Sequence, residues 1–546
     1  MCLKHYGGMI IIHNFIKFSK NLLLKNKKEL YISCSFVLIL IVIQIFLPLL
    51  MRWIISEVSV QQSYLFLLIC VLVYSIFLLI YNFTNIGWYM SLDKLGGKIL
   101  QNIREDLYNT ISNSSYEKLL LIGKEKLKNI IYMDTLNMFS CIAVQSINII
   151  ANTLLIIVFL IISAYINIKL TLVLLIAFII GFIISMLSRK PIADSAMKVN
   201  MKMKEDNKAL NEYVDALELV KTNNLNDYFI RKNSKSLWDF INMSLKADKI
   251  QLFLRNIITE FHQIVTLAIS AILAMTMNSS TFGDIVYYLF VTNMVLDTSK
   301  SLEDSIYTLI KMLPSFKNID DVLNLEKTNM DDHIETIVKI EFKDVSFFYE
   351  SNGKIILDNI NCTFKKGDVV RVTGVNGGGK STFVKLIIGL LSPKSGEILI
   401  NNKPINTISQ SCLKNQILYI DQDEIILNDD IQNYVEAISG QKISTPLLNE
   451  LKEKVKLDTK IKDVKENGRS LSGGQRKKLL LIKLLMRYEK SSVIILDEIE
   501  AGLDQDTKSI ALQVQNDIIK NNKECIIFKI THESKNDNIY SYVLDI

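Results

Sequence analysis

Residues 369–391 read VVRVTGVNGGGKSTFVKLIIGLL. A β-branched run, Val369 to Thr373, gives way to glycines and then to an apolar helical pattern. Within this strand–loop–helix grammar, Gly374-Val375-Asn376-Gly377-Gly378-Gly379-Lys380-Ser381 fits G-x-x-x-x-G-K-[S/T]. The glycines allow a tight loop whose backbone N–H groups converge on phosphate at the positive end of a helix. Lys380 is long enough to reach terminal phosphates, the Ser381 hydroxyl suits Mg2+, and Thr382 follows in the first helical turn. The pattern predicts nucleotide binding.

Two downstream segments extend that chemistry. Asp497 and Glu498 end the strand-like run VIILDE. An Asp beside a phosphate loop suits Mg2+, and the next carboxylate is placed to polarise an attacking water. In isolation an Asp-Glu pair at a strand end reads as a solvated turn; the phosphate loop reverses that balance. Leu471-Ser472-Gly473-Gly474-Gln475 precedes the helical run RKKLLLIKLLM. A Ser and two glycines at a helix start form a second anion cradle, which a second copy of the domain would complete.

The rest of the chain is a different material. Of 546 residues 49% are hydrophobic, yet 62 are basic and 56 acidic, and the mean hydropathy is +0.26. That mixture predicts a membrane part joined to a soluble one. With 21 Gly and 6 Pro, collagen-like and low-complexity classes are excluded, and a net charge of +6 is too mild for a nucleic-acid binder. The seven cysteines are scattered with no C-x-x-C pair, so they offer neither a zinc site nor a disulfide framework and fit a reducing compartment.

Six apolar stretches lie near residues 31–52, 63–87, 141–166, 168–188, 256–277 and 284–306. Most approach the roughly 20 residues a helix needs to cross about 30 Å of hydrocarbon. Basic residues concentrate in residues 1–30, 88–140 and 189–249, which predicts a cytoplasmic N-terminus and cytoplasmic long connections. Those connections still read as helical, so the membrane helices are expected to run on beyond the bilayer and turn back near residues 112–123 and 211–224. The N-terminal run IIIHNFIKFSKNLLLKNKK is expected to form an amphipathic helix along the membrane surface. After a polar linker, the strands IEFKDVSFFY, VVRVTGV, ILYIDQ, VIILDE and CIIFKIT alternate with helices, which argues for an α/β domain with a largely parallel sheet.

Leu471 to Gln475, lying 22 residues before Asp497, resembles the signature motif of ATP-binding cassette (ABC) proteins. The resemblance covers nearly the whole chain. It implies that Tyr349 stacks on adenine, Gln422 contacts Mg2+ and water, His532 contacts the γ-phosphate, and Asp504 lies in the loop joining two cassettes. Val464 to Gly468 resembles the export-type segment before the signature. The implied fold is a multi-domain membrane protein: a six-helix all-α transmembrane domain with long cytoplasmic extensions, then an α/β P-loop ATPase domain of ABC type. The expected divisions are residues 1–30 as an interfacial segment, 31–325 as the membrane domain, 326–339 as linker and 340–546 as cassette.

By that resemblance the chain is a half-transporter of the exporter type in the cytoplasmic membrane, with ATP and Mg2+ as cofactors. Its partner would be a second half-transporter, a homodimer or a separately encoded half, with ATP between Lys380 of one chain and Ser472 of the other. The Mg2+ ligands would be Ser381, Gln422 and Asp497. Lys477, Lys478 and Lys483 depart from the usual signature helix; as charged tips on a helix they are expected to stay solvated. The chain also ends directly after YSYVLDI, without the family's usual Gly turn and tail, a departure with no functional reading.

Glu260, His262 and Asp297 interrupt the last two apolar stretches. At 1.5 Å per residue the two carboxylates lie about 24 and about 20 Å from the outer surface, towards the cytoplasmic half. They are candidates for an acidic cavity that favours cationic or peptide cargo, or for mutual pairing that fixes helix register. About 30 residues precede the first span, too few for a fused peptidase domain, so a peptide cargo is expected to be leaderless or processed elsewhere. The Lys/Asn/Ile-rich composition suggests a bacterial source. Competing readings are a multidrug or lipid exporter and a nucleotide-gated channel or sensor without turnover. A DNA-repair ATPase shares the signature but has no membrane spans.

Overall fold

A computed structural model describes residues 6–61, 64–275, 282–325, 332–350, 353–375, 377–422, 424–459, 461, 463–465, 468, 470–500, 503–521, 524–531 and 540–546. The chain divides into two compact units. One comprises Met1–Asn109 with Lys128–Asn324, the other Thr110–Leu127 with Leu325–Ile546.

The first unit is helical throughout. Its helices include Tyr6–Lys25, Lys27–Gln61, Tyr64–Asn113, Ser146–Ile166, Ile168–Asp215, Asn226–Met275 and Phe282–Leu323. Among the described residues, four segments are long and apolar enough to cross a membrane: Lys27–Val58, Tyr64–Asn113, Lys124–Ile166 and Ile168–Asp215. The last two expected spans fall on the helices Asn226–Met275 and Phe282–Leu323, which are not among those four, so the count of six is not confirmed.

Length explains the helical extensions. A helix of 50 residues such as Tyr64–Asn113 is about 75 Å long, more than twice the hydrocarbon thickness of about 30 Å. The turn-backs fall where polar helical texture predicts them. Short helices occupy both tips, Tyr116–Ile122 and Leu217–Asn223, the second closed by Asn224 in the left-handed region at φ 53°.

Burial in this unit centres on Phe159, Leu170, Leu174, Ile269, Tyr287, Tyr288, Val291 and Val295. A buried hydroxyl in such a setting must be hydrogen-bonded. Tyr288 meets that need at a helix corner: its OH donates to Ser163 O at 2.8 Å and Asn167 O at 2.9 Å. The Asn167 side chain turns the chain by accepting from Lys169 N at 3.1 Å and Leu170 N at 3.3 Å. The N-terminal helix Tyr6–Lys25 packs as well, with Phe15 buried and its ring 5.5 Å from that of Phe316.

The second unit is α/β with two sheets. Its strands are β1 (Lys339–Phe348), β2 (Ile355–Lys365), β3 (Val369–Thr373), β4 (Ser395–Ile400), β5 (Lys403–Pro404), β6 (Ile417–Ile420), β7 (Val493–Asp497), β8 (Ile526–Ile530) and β9 (Tyr542–Asp545). One sheet runs β6-β7-β8-β3-β9, and each of its pairings is parallel. The other, β2-β1-β4-β5, is antiparallel. The sequence expectation placed β1 within the βα alternation. It pairs antiparallel with β2 instead, because the short connection between them leaves no room for a crossover helix.

Residues 110–127 belong to this unit although the next helix belongs to the other. The Glu117 carboxylate accepts from Ser392 N at 2.7 Å and pairs with Lys394 at 3.3 Å. Tyr116 packs on the core formed by β1, β2 and the helix after β3. The helical tip of a membrane hairpin is thereby built into the α/β unit.

Removing the Tyr288 hydroxyl strips two carbonyls at the Ser163–Asn167 corner of their shared donor. Tyr288→Phe should cost about 1 kcal/mol, read as a lower melting temperature of the purified full-length chain in detergent. No change in melting would mean that the corner is held by packing alone.

Candidate nucleotide site

The parallel sheet places the functional ends of its strands along one edge. β3 runs into the glycine loop, and the helix Lys380–Ile387 follows at once, shorter than its apolar run because Gly389 turns the chain at φ 69°. Gly379 caps that helix in the left-handed region at φ 112°, where a Cβ would crowd Ile356 and Leu357 at 2.9 Å. Gly377, at φ 81°, faces open space with nothing within 4 Å of where a Cβ would stand. A loop with bare backbone on its open side and a helix start beneath it fits a polyphosphate.

The Lys380 ammonium donates to Gly374 O at 2.9 Å and Val375 O at 3.1 Å, folded over the loop it serves. Ser381 is exposed at the helix start, whereas Thr382 is buried. Tyr349 comes to the same helix from the end of β1, its OH 3.4 Å from Thr382 Oγ1 and its ring 5.0 Å from that of Phe347. Its contact is therefore with the phosphate-loop helix.

Asp497 closes β7, two strands from β3, and is buried. Burial pushes its carboxyl up to about 6, and the negative charge of Asp421 adds to the effect. Tyr419 OH donates to Asp497 at 3.3 Å, so β6 supplies a partner that sequence reasoning missed. The signal was present, since Tyr419 stands three residues before Gln422 in ILYIDQ. Lys380 offsets the rise at Asp497 only as the last of the influences, so the buried carboxylate has affinity in reserve for Mg2+.

Glu498 follows at φ 44°, a left-handed conformation uncommon outside glycine, with its N–H donating to Ile530 O at 3.2 Å. Such strain is of order 1–3 kcal/mol and gathers at functional sites. Gln422 is exposed after β6. His532 and Asn376 lie outside the described residues, as do Ala501 and Gly502. Together Ser381, Gln422 and Asp497 offer the hard oxygen donors that Mg2+ prefers, so the residues present fit the ion.

The signature segment is a separate, self-contained turn. Ser472 caps the helix Gly473–Arg487 in a reciprocal box: Ser472 Oγ accepts from Gln475 N at 3.3 Å, and Gln475 Oε1 accepts from Ser472 N at 2.9 Å. Gly473 has nothing within 4 Å of a would-be Cβ, and Gly474 meets only Asp504 and Thr507, at 3.5 and 3.6 Å. Asp504 caps the helix Gln505–Asn521 through Thr507 N at 3.1 Å, and the Thr507 hydroxyl and N–H hold its carboxyl below the ordinary range.

Of the three departing lysines only Lys483 leaves solvent; Lys477 and Lys478 keep half-exposed tips that nonetheless find carbonyl partners. Lys477 donates to Gln422 O at 2.7 Å and Lys478 to Lys456 O at 2.9 Å. Lys483 is buried, donating to Tyr419 O at 3.0 Å and to the Glu424 carboxylate at 2.5 Å. Short side-chain reach across a packed face, which a helical pattern cannot reveal, ties the signature helix to the segment carrying Gln422.

The raised Asp497 carboxyl has a stability consequence. Its folded value, about 6, exceeds the ordinary 3.8, so the charged form costs stability that is regained as pH falls through that window. Asp497→Asn should raise the melting temperature of nucleotide-free protein by several degrees at pH 7.5, and by about half as much at pH 5. A lower melting temperature at pH 7.5 would contradict the origin assigned to the shift.

Two family profiles match the chain: the ABC transporter transmembrane region over residues 30–298, and ABC transporter over residues 357–501. The chain is 27% identical over 307 residues to the subtilin transport ATP-binding protein SpaT of Bacillus subtilis, covering 52% of this chain and 49% of that protein. It is 32% identical over 239 residues to the alpha-hemolysin translocation ATP-binding protein HlyB of Escherichia coli O157:H7, covering 41% and 33%. With the ATP-dependent lipid A-core flippase of Ralstonia nicotianae it shares 28% identity over 274 residues, covering 46% and 45%. The chain thus spans a third to a half of the length of these relatives. Matched in its membrane region and again in its ATP-binding domain, the chain belongs to the ABC transporter family, as a half-transporter with one cassette following one membrane region.

Proposed function

We propose that the protein is an ATP-driven exporter of the bacterial cytoplasmic membrane, working as a dimer with two ATP sites at the cassette interface. The observation that carries this reading is the sheet edge where Lys380 opens the helix after β3 and Asp497 ends β7 with the strained Glu498 following it, in a chain whose other half has helices long and apolar enough to cross a membrane. The basic residues of the N-terminal segment and of the long connections favour a cytoplasmic N-terminus and a cytoplasmic cassette.

Phosphoryl transfer demands positioning and charge neutralisation more than covalent help. The loop N–H groups hold the phosphates, and Lys380 exchanges two carbonyl partners for the terminal phosphates. Ser381, Gln422 and Asp497 would hold Mg2+, which supplies charge neutralisation. Glu498 orients the attacking water, with His532 at the γ-phosphate, and Tyr349 supports the base end. Ser472, Gly473, Gly474, Gln475 and Asp504 of a second chain close the site. A homodimer supplies two complete sites, since each key position is filled in this sequence.

A peptide is the cargo favoured here. Two of the relatives are named for subtilin transport and alpha-hemolysin translocation, names that favour a polypeptide when carried to this chain. Glu260 and Asp297 are both exposed side chains of long helices, available to an acidic cavity; the His262 side chain lies outside the described residues. The flippase relative supports lipid cargo as the second reading.

ATPase rate in lipid nanodiscs, with Glu498→Gln as baseline, tests this. The variant should turn over about 10²–10³-fold more slowly, and cationic peptides should stimulate the wild type more than amphipathic drugs or lipids do. Stimulation by lipids alone would move the assignment to a flippase, and a wild-type rate no higher than the variant's would contradict turnover. Peptide transport unaffected by Glu260→Gln with Asp297→Asn would remove the acidic cavity.

A further inference from the structure

Outside the nucleotide site, one of the six described cysteines sits in surroundings unlike the rest. Cys412 lies in the short helix Gln410–Gln416, half-buried against the core that β1 and β3 share. Its sulfur is 3.1 Å from Nδ1 of His333, 79 residues earlier in the chain. The Ser409 side chain and the Ile334 N–H also hydrogen-bond the sulfur. Three groups from two segments thus converge on one thiol.

The surroundings are fixed by backbone. Residues 332–334 form a strap on the segment 403–412: Asp332 N–H donates to Thr407 O at 3.2 Å, Ser409 N–H donates to Asp332 O at 3.0 Å, and Asp332 bridges Ile408. Besides His333, the charged residues of the two segments are Asp332 and Glu335 on the strap and Lys403 and Lys414 on the facing one. Asp332 is already engaged, by Thr407 Oγ1 at 3.0 Å and Lys403 at 3.6 Å, which leaves His333 as the titratable neighbour of the sulfur.

We propose that Cys412 is a modification site, a nucleophilic thiolate held by His333, Ser409 and the Ile334 N–H, which takes up small disulfides by thiol–disulfide exchange. The Cys412 sulfur attacks one sulfur of the disulfide RSSR; that S–S bond breaks, the Cys412–S–S–R bond forms, and RS⁻ leaves to take a proton from solvent. Exchange favours a thiol that is ionised near ambient pH and can be reached. His333 is exposed and Cys412 is only half-buried.

The contrast with other thiols supports the assignment. The Ser409 hydrogen bond, the Ile334 N–H and His333 bring Cys412 down to about 7, while burial pushes Cys362 up to about 12 and Cys525 up to about 11. Those two cysteines are buried and inert by the same physics.

The test uses the full-length protein in nanodiscs. Iodoacetamide alkylation at each cysteine is followed by mass spectrometry between pH 5.5 and 9, and glutathione disulfide is the exchange partner. Cys412 should show a midpoint near pH 7 and form a mixed disulfide that dithiothreitol reverses, with Cys362 and Cys525 unmodified. His333→Gln should move the midpoint upward and slow the pH 6.5 reaction about fivefold; His333→Ala, also at an exposed position, checks that result. A wild-type midpoint above 8.5, no glutathione adduct on Cys412, or His333 variants with the wild-type profile would overturn the proposal.

Discussion

Everything chemical in this chain depends on parallel strand pairing between β3, β8 and β7. Parallel strands end on the same edge of a sheet, and only there do a loop of bare backbone N–H groups and a buried carboxylate come within reach of one ligand. β3 delivers Gly374 to Lys380 and β7 delivers Asp497 and Glu498, with β8 between them. Local rules are bent at that edge. Gly379 caps its helix in a left-handed conformation, and Glu498 adopts one without being glycine.

Charge is handled asymmetrically around this edge. Asp497 is buried with a tyrosine as its close partner and is raised by that burial, a state that binding a cation would relieve. Lys483 is also buried, but it is satisfied by the Glu424 carboxylate and the Tyr419 carbonyl. One buried charge is left ready for a ligand, while the other pins the signature helix to β6 and the segment after it. Breaking a partly buried pair of this kind strands the charge left behind, which is costly. The pair therefore couples the position of Ser472 to that of Gln422 through rigid elements.

Legibility in the sequence followed the range of the interaction. Residues 369–391 announced strand, loop and helix because each feature lies within a few residues, as did the helix start at Ser472. Long apolar runs announced membrane helices by their length alone. The antiparallel sheet was hidden, since nothing within β1 distinguishes its partner from a parallel one. Contacts between Cys412 and His333, or between Glu117 and Ser392, join residues 79 and 275 positions apart. No periodicity encodes such pairs. The burial of Lys483 was misread for the same reason: its neighbours come from another part of the chain.

The reading as a dimeric exporter turns on whether the signature turn of one chain completes the phosphate loop of another. Ser472 and Gln475 satisfy each other, leaving the bare backbone of Gly473 and Gly474 as the face available to a ligand. Val375, 74% exposed at the loop's rim, offers a reporter position. The deciding measurement is cross-linking of a Val375→Cys, Ser472→Cys variant, in a background whose native cysteines are replaced by serine or alanine, with a short bis-maleimide. A covalent dimer that forms with Mg2+ and ATP, and not without them, is the predicted result. A link closed within single chains, or a dimer indifferent to ATP, would contradict it.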